Sequence, residues 1–127
     1  MTKKQVDSKT IAEFCAKEAG EKKALDVVSL KVAELTTIAD YFVLCTAQSE
    51  PQMRALSNWI QKSIFEELQV KPVTVDGEPV SKWILIDFGA VIVHIMTPEM
   101  RDRYQLEKLW GDAPKLADLQ KLEEARH

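Results

Sequence analysis

Asp87-Phe88-Gly89, at the head of the stretch DFGAVIVHI, is the triplet with which protein kinases hold magnesium. His94 follows in the same stretch, and on two paired strands Asp87 and His94 could stand diagonally within hydrogen-bonding reach. A hydrolase uses such a pair to orient a general base. Asp76-Gly77-Glu78 sets two carboxylates around a glycine, as a nucleotidyl-transfer metal site would, and Cys15 and Cys45 are the thiols. Each of these lacks the company its chemistry requires. A kinase site also needs a glycine-rich loop, a strand lysine and a His-Arg-Asp catalytic loop, and the sequence has none of them. The Asp–His pair needs a nucleophile, but Cys45 sits in an apolar run and Ser49 is placed to cap a helix. Zinc needs three or four clustered ligands, whereas the histidines are His94 and the terminal His127, and no C-x-x-C occurs. Four isolated glycines cannot make a phosphate cradle. The expectation is therefore no catalytic residue, no metal and no cofactor. Gly89-Ala90 becomes a two-residue type II′ hairpin turn, and the cysteines two buried free thiols.

The elements that hold these residues follow from periodicity. Thr10 and Glu13 form a capping box for a helix over 10–19, with Ile11, Phe14 and Cys15 at helical spacing and Gly20 as its stop. Residues 25–32 (LDVVSLKV) alternate as a half-buried strand, with Val28, Leu30 and Val32 on one face. Residues 41–47 (YFVLCTA) are apolar almost throughout, the mark of a central strand covered on both faces. Ser49 and Gln52 cap a long helix, with Pro51 in its first turn and a stripe of Met53, Leu56, Ile60, Ile64 and Leu68 flanked by Trp59 and Phe65. Residues 72–75 form a short strand, placed at an edge by Pro72, and Asp76-Gly77 turns the chain. Two more strands meet at Gly89-Ala90, and Thr97-Pro98-Glu99 opens a helix that returns Leu106, Leu109 and Trp110 to the domain. This order predicts one α/β (α+β) domain over 1–113, built on a mixed sheet of about five strands flanked by helices. A polar tail, helical or loose, occupies 114–127.

The chain has 127 residues, 46% of them apolar and 29% charged, enough for a real core without disulfides or metal. No apolar run reaches the roughly 20 residues a spanning helix needs, and no signal or transit segment is visible, so a cytoplasmic protein is expected. The net charge is −3 and the longest basic runs are Lys3-Lys4 and Lys22-Lys23. Phosphate tracking needs more cations than that, so contact with protein rather than RNA is expected.

The last hairpin has two unlike faces. If Phe88 and Val91 flank the turn, then Ile84, Ile86, Phe88, Val91, Val93 and Ile95 share one wholly apolar face. The other face carries Trp83, Leu85, Asp87, Ile92, His94 and Met96, too apolar for water and too polar for a dry core. Interface centres favour aromatics and Met beside a few polar groups, so Trp83, Leu85, Asp87, His94 and Met96 are the candidate partner-binding residues. Tyr104 and Trp110 extend the set if the closing helix lies alongside.

ADYFVLCTAQSEPQMRAL and KWILIDFGAVIVHIMTPEMRDRYQLEKLWGDA together resemble the ribosomal silencing factor family (RsfS, also called Iojap). The motifs run in the family's order: Asp40, Tyr41 and Phe42; Ser49, Gln52 and Arg54; Trp83, Leu85, Asp87, Phe88 and Gly89; Val91, Val93 and His94; Arg101, Tyr104, Leu106, Glu107, Leu109 and Trp110. The resemblance covers roughly residues 8–113. The chain departs from the pattern at Thr46-Ala47-Gln48-Ser49, where the family often has Ser-Gly-Thr-Ser, and at Ala90, where an acidic residue is common. The resemblance implies a nucleotidyltransferase-like topology without catalysis. It also implies a homodimer that binds ribosomal protein L-fourteen on the large subunit, blocks subunit joining and represses translation when nutrients are short. A role in large-subunit assembly is the alternative, with a nucleotidyltransferase-like enzyme behind it.

Overall fold

The computed structural model describes residues 6–110, and the proposed boundary at 113 and the tail over 114–127 lie outside them. Helix α1 (Ser8–Glu21) leads into strands β1 (Leu25–Lys31) and β2 (Tyr41–Thr46). Helix α2 (Glu50–Leu68) then crosses to β3 (Thr74–Asp76), a single 3-10 turn (Pro79–Ser81), and the hairpin β4 (Trp83–Asp87) and β5 (Val91–Met96). Two short helices, α3 (Pro98–Tyr104) and α4 (Leu106–Leu109), close the described chain. The five strands form one mixed sheet in the order β1-β2-β5-β4-β3, with β2 and β5 parallel and the other pairs antiparallel.

The α2 cap forms as its residues predict: the Ser49 hydroxyl accepts from the Gln52 amide. The Gln52 side chain reaches past the Ser49 amide that a capping box would use. Its Oε1 accepts from the Gln48 amide at 2.7 Å and its Nε2 donates to the Lys23 carbonyl at 3.1 Å, pinning the start of α2 to the end of α1. Helix α1 starts earlier than Thr10 suggests. Asp7 is the cap, its carboxylate accepting from the Thr10 amide at 2.8 Å, because a charged acceptor competes better for the first free amides than a hydroxyl does. Strand β3 lies one to two residues later than expected: Pro72 has no amide to give, and the first pairing bond comes from the Val73 amide to the Asp87 carbonyl.

The two faces of the sheet are covered unequally. Helices α1 and α2 lie on one face, where Met53, Leu56, Ile60 and Ile64 meet Val43, Ile86, Val93 and Ile95 in the main core. The hairpin face expected to be wholly apolar, from Ile84 to Ile95, lies entirely within it. Of the α2 flanks, Trp59 is half-buried beneath the Lys22 ammonium, while Phe65 stays exposed. The opposite face holds a smaller cluster of Leu30, Val32, Phe42, Leu44 and Ile92, partly closed by Leu106 and Trp110.

Candidate functional site

The reading that invited catalysis separates into unrelated parts. The Asp87 carboxylate accepts from the Gly89 amide at 2.7 Å, fastening the hairpin turn. Gly89 has φ +89 while Ala90 does not share that sign, as a type II′ turn requires, and the Phe88 amide donates to the Val91 carbonyl across it. His94 Nδ1 accepts instead from the Trp83 indole N–H at 3.2 Å. The diagonal Asp87–His94 hydrogen bond is therefore not formed; the turn outcompetes it for the carboxylate. Nor can Cys45 serve His94. Cys45 pairs with Ile95 and Leu44 with His94 across the parallel strands, so the thiol and the imidazole point to opposite faces of the sheet. Both cysteines are buried free thiols, and burial pushes each up to about 12, far from a reactive thiolate. Among the described residues no cluster of three or more His, Cys, Asp or Glu could hold a metal.

What the second face does hold is an aromatic group. The Phe42 ring meets His94 edge-on at 5.2 Å and Trp110 at 5.4 Å. Trp83 lies 5.8 Å from His94 and 5.1 Å from Tyr104 between ring centroids. Trp83 is the hinge of this group, hydrogen-bonded inward to His94 and packed outward on Tyr104. The candidate residues consequently divide. Trp83, Leu85, Asp87 and Trp110 are half-buried and Tyr104 is 50% exposed, so all five reach the surface. Met96 is 0% and His94 7% exposed, which corrects the expectation of one open face. The cover comes from the chain itself, through the aromatic group and the closing helices. His94 and Met96 form the floor beneath the surface residues.

Arg101, in the last turn of α3, fixes that cover. Its Nε donates to Glu107 at 2.7 Å, Nη1 to the Thr46 hydroxyl at 2.9 Å and Nη2 to the Asp26 carbonyl at 2.8 Å. One guanidinium thus joins α3, α4, β2 and β1. Asp26, where β1 bulges, has φ +49, and its carbonyl faces the arginine because of that bend. A mixed-charge cleft of about 500 Å³ lies beside this knot, lined by Leu25, Asp102, Gln105 and Lys108 among others. Three of the guanidinium's five N–H donors are spent on the protein, and the Glu107 carboxylate offsets its charge beside the cleft.

His94 carries a pH signature. Burial drives its imidazole down from the usual value near 6.5 to about 4, and Nε2 is buried with no partner. The unfolded chain therefore binds a proton that the folded one refuses between those two values. Stability is complete above pH 6.5 and falls as the pH drops toward 4, by on the order of 2–3 kcal/mol. Urea melts of the wild type and His94→Gln at pH 7, 6, 5 and 4 check this. The acid loss should shrink in the variant, and equal slopes would exclude His94 as its source.

The model of the family described as "Ribosomal silencing factor during starvation" matches residues 5–127. This chain belongs to the ribosomal silencing factor family. The Ribosomal silencing factor RsfS of Bacillus subtilis is 37% identical over 115 residues, covering 90% of this chain and 95% of that relative. The mouse protein named for mitochondrial assembly of the ribosomal large subunit is 30% identical over 93 residues, 71% of this chain and 40% of its own length. A crystal structure of a Chromobacterium violaceum protein superposes with a TM-score of 0.78 at 31% identity, covering 84% of this chain and 88% of that one. The family's sheet and helices are therefore those described above.

Two exposed residues of the β1–β2 loop, Leu35 and Ile38, drew no notice in the sequence. Their signal was an apolar pair inside the polar stretch ELTTIAD, where neither helical nor strand periodicity provides a buried place for them.

Proposed function

We propose that this chain is a ribosome-binding repressor of translation, working by steric obstruction without chemistry of its own. It docks on ribosomal protein L-fourteen of the large subunit, in the face that meets the small subunit, and so prevents the two from joining. Membership of the silencing-factor family supports the ribosomal setting, and relatives named ribosomal silencing factors support the regulatory one. The observation that carries the docking surface is the Trp83–Tyr104 pair, two large rings side by side and both reaching solvent. Leu85 and Asp87 continue the same face of β4 toward the turn, Trp110 packs on Phe42, and His94 holds Trp83 from beneath. Large amphipathic rings anchored on a rigid sheet lose little conformational freedom on binding, as hot-spot residues do. The free protein is a cytoplasmic homodimer in this reading. Net charge −3 suits a protein partner better than the RNA beside it.

Sucrose-gradient fractionation of a starved lysate tests this. The protein should travel with free large subunits and be depleted from joined ribosomes, with a shallow salt dependence. Trp83→Ala should lose binding by about 2 kcal/mol or more. An unchanged peak for that variant would remove this face from the contact, and a steep salt slope would point to RNA. The mouse relative's name favours a second reading, in large-subunit assembly. A strain lacking the protein would then accumulate unfinished large subunits, rather than complete ones that join when nutrients fail.

A further inference from the structure

The β1–β2 loop and the β4–β5 turn meet at one end of the sheet. The Ala90 carbonyl accepts from the amides of Asp40 at 2.7 Å and Tyr41 at 3.2 Å, tying the turn to the loop. The loop is also closed on itself. The Val32 carbonyl accepts from the Leu35 and Thr36 amides, the Asp40 carbonyl accepts from the Val32 and Ala33 amides, and the Thr36 hydroxyl takes the Ile38 amide at 3.2 Å. Ala39 is buried beneath. This well-fastened loop nevertheless holds Leu35 at 46% and Ile38 at 66% exposure. A fixed loop that lifts two branched aliphatics into water gains nothing for its own fold, whereas fixed apolar side chains bind with little loss of freedom. Glu34 and Asp40 flank them in sequence, and Asp87 stands at the joined turn. Lys31, at the foot of the loop, is the nearby cation in sequence.

We infer that this end of the sheet is a docking surface for a basic protein surface whose apolar hollow receives Leu35 and Ile38. The inference rests on the proposed ribosomal contact and extends it along β4, from Trp83 at one end of the strand to Asp87 at the turn end that the loop joins. The charges select among occupants. Three carboxylates repel phosphate, which disfavours RNA. A second copy meeting this surface with its own like surface would bring Lys31 as the loop's cation against three carboxylates, an unbalanced match. A basic protein surface satisfies both the aliphatics and the acids.

Purified chain and salt-washed large subunits test the inference in a pelleting assay with three variants. Leu35→Ser/Ile38→Ser should bind at least tenfold more weakly while melting like the wild type. Glu34→Lys, a change at an exposed position, should also weaken binding, most strongly at low salt. Undiminished binding by the double variant overturns the inference, while loss in a Trp83→Ala control leaves the ribosomal reading standing. If the double variant melts early, Glu34→Lys decides, and full binding by it overturns the inference. An equal drop on deproteinised large-subunit RNA, or a dimer that falls apart while subunit binding persists, overturns it in favour of RNA or of a second copy. A wild type that ignores large subunits sinks both readings together.

Discussion

Arg101→Ala should lower folding stability by about 3–4 kcal/mol, through the loss of three charge-assisted hydrogen bonds. The guanidinium is 10% exposed, so water would not replace those bonds in place. Glu107, more open at 39%, contributes the smaller share, because an exposed carboxylate recovers its hydration when the pair is broken. The larger share comes from Thr46 and from the Asp26 carbonyl, held at a left-handed bulge that lacks another fastening to α3. Arg101→Lys should recover less than half, since an ammonium cannot hold three diverging acceptors. Hydrogen exchange should locate the damage, with amides of 98–110 opening first and the α1–α2 side of the sheet keeping its protection. A melt within 1 kcal/mol of wild type would mean that Leu106, Trp110 and the Tyr104–Trp83 contact suffice to hold the closing helices.

Gly77→Ala is the second large effect, at about 2–4 kcal/mol. Gly77 has φ +87, which an alanine adopts only at a cost of about 1–2 kcal/mol. A Cβ there would also lie 2.2 Å from the Trp83 carbonyl oxygen, and that oxygen belongs to the backbone of β4, so it cannot swing aside. The Ser81 hydroxyl, which donates to the Glu78 carbonyl at 2.6 Å and lies 3.1 Å from the Trp83 carbonyl, would be displaced with it. The clash falls on the residue that anchors the binding face, so Gly77→Ala should weaken large-subunit binding as well as stability. Gly20→Ala is the control: it has open space around it and lies in a helix, where alanine is favoured. Equal melting temperatures for the two variants would dismiss the close approach at Gly77.

Much of this fold was legible because its strands either alternate cleanly or run apolar throughout. Ile84, Ile86, Phe88, Val91, Val93 and Ile95 announce a hairpin face, and Tyr41 to Thr46 announce a strand buried on both sides. The far end of the hairpin was not legible in the same way. Whether Met96 and His94 meet solvent depends on α3 and α4 folding back, which Arg101 secures through partners distant in sequence at Thr46 and Asp26. A local pattern carries no record of such a bond. That Asp87 and His94 do not pair was hidden for a related reason. Both groups had a nearer partner, the Gly89 amide and the Trp83 indole, and sequence alone does not rank competing hydrogen bonds. Trp83, Leu85, Asp87, Tyr104 and Trp110 each keep part of the side chain at the surface.

The parallel seam between β2 and β5 has a consequence for how the protein is born. Strands β1 and β2 can pair as soon as both have been made, and so can β4 and β5. The seam joins Tyr41 to Val91, positions about fifty residues apart. At translation rates of about 5–20 residues per second, β2 waits roughly 3–10 s for its partner strand to be synthesised. Throughout that interval one edge of an almost wholly apolar strand has nothing to pair with, and α2, emerging immediately after β2, is the nearest element able to shield it.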